Sequence, residues 1–267
     1  LAGKDEDVQL AWRRFTGHGP LVYSPRNGGH WIATEGEDIR SLYRDTTHLS
    51  LRDGGAIPPH GGLHLLPNQS DPPEHEDYRR AIMPFFAPPV IDSLVPKIRE
   101  LAVELIEAIQ PRGECEFIAE FASHLPIIVF LKIMGLPIDD RPHLLALADN
   151  FARNPDVVAK AKSMQSVNAY IERRIAERRA KPSDDIISAM LAARVGDRPF
   201  NDDEVRASCV MLMLAGLDTV VALMGFVAAF LARNPFQRAA IRERGSQLAP
   251  IVEELLRRFG VTNLGRL

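Results

Sequence analysis

Ala215-Gly216-Leu217-Asp218-Thr219 sets a carboxylic acid and an alcohol beside a glycine, in the middle of a run that is otherwise apolar from Val210 to Ala232. Helix packing calls for neither polar group at such a position. A hydroxyl buried without a partner costs roughly 2–7 kcal/mol, and an ionised carboxylate costs more. Groups this expensive are either paired or chemically employed, so the segment is the first candidate for function.

The apolar run is long enough to cross a bilayer, and a span would hold Asp218 near the bilayer centre at about 2.5–3.5 kcal/mol on insertion scales. A mean hydropathy of −0.09 for the whole chain and the lack of a second such run favour a helix that is apolar all round because it passes through a protein interior. No membrane partner is expected. The helix is predicted over Asp202–Arg233, capped by Asn201 or Asp202, with Asp203 and Glu204 in its first turn. At 1.5 Å per residue it spans about 45 Å, the width of a domain.

The 267 residues, 46% apolar and 25% charged, suffice for a large core and exclude disorder. A net charge of −3 and a pI near 6.3 give no electrostatic reason to expect nucleic acid. The pairs Arg173-Arg174 and Arg178-Arg179 alternate with Glu172 and Glu177, the pattern of a solvated helix face. Cys115 and Cys209 are too few for a disulfide framework and suggest a reducing, cytoplasmic setting. No signal-peptide pattern opens the sequence.

The remaining pattern is mainly helical. Two short β-prone runs flank Asn27-Gly28-Gly29, a hairpin signal. Helical periodicity begins at Glu37 and returns at roughly 73–86, 90–109, 119–134, 142–152, 157–181 and 184–195. Between them, 53–73 is a Gly-, Pro- and His-rich loop of a length that is uncommon unless functional. Just after Asp71-Pro72-Pro73, His75 and Arg79 are spaced i, i+4, so they share a helix face and can grip an anion together. Glu254 and Arg257, three apart in the last helix (249–259), pair in the same way.

The order of these pieces resembles the cytochrome P450 family of haem-thiolate monooxygenases. The carrying motifs are Asp71-Pro-Pro-Glu-His-Glu-Asp-Tyr-Arg79, Ala215-Gly-Leu-Asp-Thr219 and Glu254-Leu-Leu-Arg257. More narrowly, Asn27-Gly-Gly-His-Trp-Ile-Ala-Thr34, Gly216-Leu-Asp-Thr-Val-Val221 and Glu253-Glu-Leu-Leu-Arg-Arg-Phe259 are similar to the bacterial, camphor-hydroxylating branch. The resemblance covers essentially the whole chain. It implies a single, C-terminally incomplete P450 domain over 1–267, a helical bundle around the long central oxygen-binding helix at about 202–233, with a small hairpin near the front.

Carried over residue by residue, the resemblance implies that His75, Arg79 and Arg266 bind the carboxylates of haem b. Ala215 and Gly216 mark where the long helix passes the cofactor, the missing side chain of Gly216 leaving room for dioxygen. Thr219 either bonds back to the Ala215 carbonyl, distorting the helix, or turns toward oxygen. With Asp218 it forms a proton-delivery pair, and Arg153 is a candidate tether for the acid. Glu254 and Arg257 match a structural salt bridge with a folding role. Substrate contacts are expected from Leu63, His64, Leu65 and Asn68 in the loop, Met211 and Leu214 on the long helix, and Val261 and Thr262. Leu63 stands where camphor-oxidising relatives present a tyrosine hydroxyl, so a less polar substrate, or one read by His64 or Asn68, is expected. Electrons would come from a [2Fe-2S] ferredoxin fed by an NAD(P)H-dependent ferredoxin reductase, with Arg79 and Arg80 on the helix that faces this partner and Glu76 as an acid among them.

The sequence departs from the family at one place. The glycine-rich loop whose cysteine ligates the haem iron belongs beyond Leu267, so no metal ligand is expected in this chain. Cys115 lies between Glu114 and Glu116, and Cys209 lies on the long helix without a glycine-rich loop. Two readings follow. One is a monooxygenase that hydroxylates a small apolar, terpenoid-like molecule with dioxygen. The other is a truncated or degenerate haem-free helical protein that binds an apolar ligand or a partner.

Overall fold

The computed structural model describes residues 7–54, 65–154, 156–245 and 247–262. A short helix, α1 (Val8–Ala11), leads into an antiparallel hairpin of β1 (Leu21–Ser24) and β2 (His30–Ala33), with Leu21 opposite Ala33 and Ser24 opposite His30. Its turn is the Asn27-Gly28-Gly29 signal, with φ at +54° for Asn27. Then come α2 (Gly36–Arg44), α3 (Glu74–Ile82), α4 (Pro88–Ile109), α5 (Leu125–Met134), α6 (Arg141–Arg153), α7 (Val157–Ala180) and α8 (Ile186–Ala192). A two-residue ribbon of β3 (Arg194–Val195) and β4 (Arg198–Pro199) precedes α9 (Asp202–Leu217), α10 (Thr219–Arg233), α11 (Pro235–Glu243) and α12 (Ala249–Arg258).

Of the predicted helices two are divided and one is cut short, each for a local reason. The helix predicted over 119–134 begins as a π turn, Ile118–Ala122, and restarts as α5 with Pro126 in its first turn, where a missing N–H is tolerated. The one predicted over 184–195 stops at Ala192, because Gly196, at φ +55°, reverses the chain into the β3–β4 ribbon. The long helix is interrupted at Asp218 (φ −116°, ψ −33°), where the Thr219 hydroxyl donates to the Ala215 carbonyl at 2.7 Å. This back-bond is the distortion expected of a threonine in an apolar helix.

The core is built from α5, α7, α8 and the first half of the long helix. Leu131, Met134, Ile171, Ile187, Met190 and Met213 are fully enclosed. The expectation that the apolar run is covered on all sides holds only in part: on α9, Val205, Cys209, Val210 and Met213 are buried, while Met211 and Leu212 are half-buried. In α10 only Val221 is buried among the described residues. By length and composition Asp202–Arg233 is apolar enough to cross a membrane, but Val205, Cys209 and Met213 of its first half are packed in the protein core.

The solvated-face reading of the α7 arginines also needs correction. Arg174 turns inward to Asp140 (2.5 Å), whose carboxylate also takes the Tyr170 hydroxyl (2.7 Å). Arg178 donates to the Gly135 carbonyl at 2.7 Å and pairs with the buried Asp185. Two of the four arginines therefore tie α7 to neighbouring elements, while Arg179, paired with Asp202, stays on the surface.

Gly216 lies three residues after Met213 and seven after Cys209, on the core face of α9. A methyl group built there overlaps the Phe130 ring of α5, so the room left by this glycine is taken by a neighbouring helix and not by a ligand. At Gly225 the same methyl meets only the terminal Cδ1 of Ile118, at 2.7 Å. Gly216→Ala is accordingly expected to lower stability by about 1–3 kcal/mol through overpacking, and Gly225→Ala by less than about 1 kcal/mol, because a flexible chain end can move and alanine favours the helix. Urea unfolding of the two variants checks the difference; equal effects would refute it.

Candidate active-site cleft

The helix α3 is pinned at both ends. At its start the Asp71 carboxylate accepts the Leu51 amide at 2.9 Å and the Ser50 hydroxyl at 2.5 Å, holding the incoming strand of chain against the turn. Glu74, Glu76 and Asp77 in the first turn suit the positive end of the helix dipole. Tyr78 and Ile82, spaced i, i+4, face inward.

His75 is half-buried, and its Nδ1 lies 3.1 Å from the Pro67 carbonyl. A carbonyl only accepts, so Nδ1 carries the proton and Nε2 is the nitrogen left for another partner. The same carbonyl takes the Ser70 hydroxyl at 2.5 Å, which fixes the loop before α3. Arg79 is exposed, and its guanidinium reaches the Met83 sulfur at 3.1 Å, a weak acceptor.

Arg79 stands at the edge of a cleft of about 230 Å³. Ile82, Met83 and Phe86 form one wall, Met211 and Leu212 of α9 the other, and Pro67 and Asn68 close one side. Ile82 follows Arg79 at i+3 on the same helix face, and Met83 and Phe86 lie in the 3-10 turn that continues α3. On α9 the face that carries Met211 and Leu212 continues to Ala215, one turn on, and Thr219 follows across the break at Asp218. Ala215, not Gly216, is thus the residue on the cleft side. Both Asp218 and Thr219 are half-buried at the break that follows.

Of the expected contacts, Asn68, Arg79 and Met211 meet at this cleft. Leu65 and Leu214 instead pack against the core. Val261 is half-buried and Thr262 exposed, beyond α12, and neither is among the residues that line the cleft. Glu254 and Arg257 make both expected bonds, at 2.6 and 2.7 Å, but their side chains are 61% and 70% exposed, so the pair adds little by itself. What docks α12 is Phe259, which sequence reasoning missed. It is buried, stacked on Phe226 at 6.3 Å and tilted against Phe230 at 5.5 Å. Leu63, His64 and Arg266 lie outside the described residues, as does the side chain of Arg153.

Comparison with known proteins settles the family. The family model "Cytochrome P450" matches residues 137–248. A probable cytochrome P450 127A1 of Sinorhizobium fredii is 30% identical across 93% of this chain and 61% of its own length. The erythromycin C-12 hydroxylase of Saccharopolyspora erythraea is 31% identical, over 95% of this chain and 65% of that protein. Among solved structures, cytochrome P450 CYP101C1 superposes with a TM-score of 0.83 at 36% identity, over 95% of this chain and 64% of that one. For CYP101J2 the TM-score is 0.86 at 33% identity, over 98% and 66%. The chain belongs to the cytochrome P450 family. It spans 61% to 66% of the length of these relatives.

Membership implies haem b held through a cysteine thiolate, and the cleft offers an apolar surface to part of that group. Its walls are apolar, and a guanidinium whose partner among the described residues is a thioether stands at the edge, with His75 one turn before it on the same helix. Neither described cysteine fits as the thiolate. Cys115 is exposed, Cys209 is fully buried with its thiol pushed up by burial, and neither lines the cleft.

The two cleft walls are tied together at the start of α9. Asn201 and Glu204 form a reciprocal capping box, with both bonds at 2.9 Å. The Glu204 carboxylate also takes two bonds from Arg198, at 2.6 and 2.8 Å, and the Tyr78 hydroxyl at 2.7 Å. Burial pushes this carboxyl up, but Arg198, the Asn201 amide and Tyr78 together outweigh it and hold the group at about 2. Burial, and then the neighbouring carboxylate, push the Tyr78 hydroxyl up to about 12, so it remains a donor.

Because the folded-state value lies below the ordinary 4.5, the Glu204 interactions contribute fully above that pH and are lost as pH falls toward about 2. Glu204→Gln is expected to cost about 2 kcal/mol near neutral pH, discounted for the half-exposed Arg198. The gap between variant and parent should close toward about pH 2. Denaturant titrations at neutral and acid pH measure it, and a gap that is independent of pH would show that the carboxylate is not the stabilising group.

Proposed function

We propose that this chain forms the larger part of a cytoplasmic haem-thiolate monooxygenase. The observation that carries the reading is the apolar cleft between α3 and α9 with the Arg79 guanidinium at its edge. That arrangement takes a flat, apolar group bearing carboxylates, and the same face of α9 runs on to a threonine and an acid at a break in the helix.

When bound, haem b would supply dioxygen activation. In the overall reaction one oxygen atom enters a C–H bond of the substrate and the other leaves as water, consuming two electrons and two protons. His75 through Nε2, Arg79, and Arg266 with them, orient the cofactor carboxylates. Ala215 keeps the adjoining face of α9 low. Thr219 spends its own proton on the Ala215 carbonyl, so its remaining capacity at the cleft is to accept. It therefore holds a protonated partner in place, while Asp218, at the break, relays protons from solvent.

The substrate is a small apolar, terpenoid-like molecule. Asn68 at the cleft is the polar group available to orient it, and Met211 packs against its body. Electrons come from a [2Fe-2S] ferredoxin served by an NAD(P)H-dependent reductase, docking on the α3 side where Arg79 and Arg80 are exposed. The partly open α10 favours the competing reading, a haem-free protein that binds an apolar ligand or partner.

The spectrum of the dithionite-reduced, carbon monoxide-treated protein separates the two. A strongly red-shifted Soret band is expected, and protein without haem would leave the competing reading. In the loaded enzyme, Thr219→Ala should retain substrate binding while sending most reducing equivalents to hydrogen peroxide, a loss of coupling of about tenfold or more for a general acid–base role. Unchanged product per NAD(P)H consumed would remove Thr219 from proton delivery.

A further inference from the structure

The capping box at the start of α9 does more than satisfy the helix end. A capping glutamate needs only one acceptor, for its own N-cap amide. Here the side chain is buried, and both its oxygens are drawn into a three-way junction with Tyr78 of α3 and Arg198 of the β3–β4 ribbon. The junction is braced twice more on the α3 side. Asp77 accepts the Gly196 amide of the ribbon at 2.7 Å, and the Tyr78 ring meets Phe200 edge-on at 5.3 Å.

Its position along the helices matters. Tyr78 immediately precedes Arg79 and lies four residues before Ile82, and Glu204 lies seven residues, two turns, before Met211. The residues that make the junction and the residues that line the cleft are therefore carried by the same two rods. α3 packs on α8 and β3, and the junction adds the directional tie between α3 and α9 that sets how α3 is turned toward the cleft. Rotation of α3 is what aims Arg79.

We propose that Glu204 is a positioning residue: through the Tyr78 hydroxyl it fixes the rotation of α3, and with it the aim of Arg79 and His75 at the carboxylates of the bound cofactor. The assignment rests on the functional reading above. It predicts an effect on the carboxylate grip specifically, which a role in stability alone does not.

Tyr78→Phe tests it, because that variant keeps the ring, the capping box and the Arg198 pair and removes one bond. The measurement is the rate at which the haem-loaded protein gives up haem to excess apo-globin, compared with the rate for haem dimethyl ester, which lacks charged carboxylates. Tyr78→Phe is expected to speed loss of haem about tenfold, to leave loss of the ester nearly unchanged, and to add nothing in an Arg79→Ala background. Glu204→Gln should follow the same pattern. Equal acceleration for haem and ester, full additivity with Arg79→Ala, or no acceleration at all would overturn the proposal. A parent protein that takes up no haem would overturn the functional reading itself, and this assignment with it.

Discussion

A carboxylate taken out of water must be met by donors strong enough to replace it, and at two helix starts in this chain those donors come from neighbouring elements of the fold. Glu204 draws in Tyr78 from 126 positions earlier, together with Arg198 from the ribbon beside it. Asp185 caps α8 by accepting the Ser188 amide at 2.9 Å and is met by Arg178, whose guanidinium also reaches the carbonyl of Gly135 at the end of α5. Gly135 is there for two reasons. Its φ is +66°, and any side chain on it would run into Asp185. The first junction relates α3 to α9, the second relates α5, α7 and α8, and α9 passes through the core between them. Losing one partner at either point leaves charge without compensation, which is what makes such junctions determine geometry as well as energy.

The long helix has two working faces, and the break at Asp218 separates two regimes along it. Cys209, Met213 and Gly216 form the face against α5, where the glycine admits the Phe130 ring. Met211, Leu212 and Ala215 form the face toward the cleft. Packing precision on the first face fixes the second, since both belong to one rigid turn of backbone. Beyond the break the helix is held by the π turn through Gly225 and by Phe259, and much less of it is enclosed.

Much of this was legible in the sequence because it rests on local periodicity and local chemistry. The hairpin at Asn27-Gly28-Gly29, the pairing of His75 and Arg79 on one helix, the capped start at Asn201 and the back-bond of Thr219 all follow from residues within a few positions of each other. What escaped was set by distant partners. The i, i+3 and i+7 spacing of Gly216 from core residues was present in the sequence, yet only the arrival of Phe130 decides what fills the space. Arg174 and Arg178 read as surface charges because Asp140 and Asp185 are supplied by other elements. Glu254 and Arg257 read as a structural pair, whereas the aromatic two residues later does the docking among the described residues.

Arg258 follows that pair and crosses to Asp7, so the two ends of the described chain are joined across a separation of 251 residues. Closing a loop of that size is entropically demanding only in logarithmic measure. Being partly exposed, the bond is among the first to open, which makes the seam between α1 and α12 the place where the molecule begins to fray.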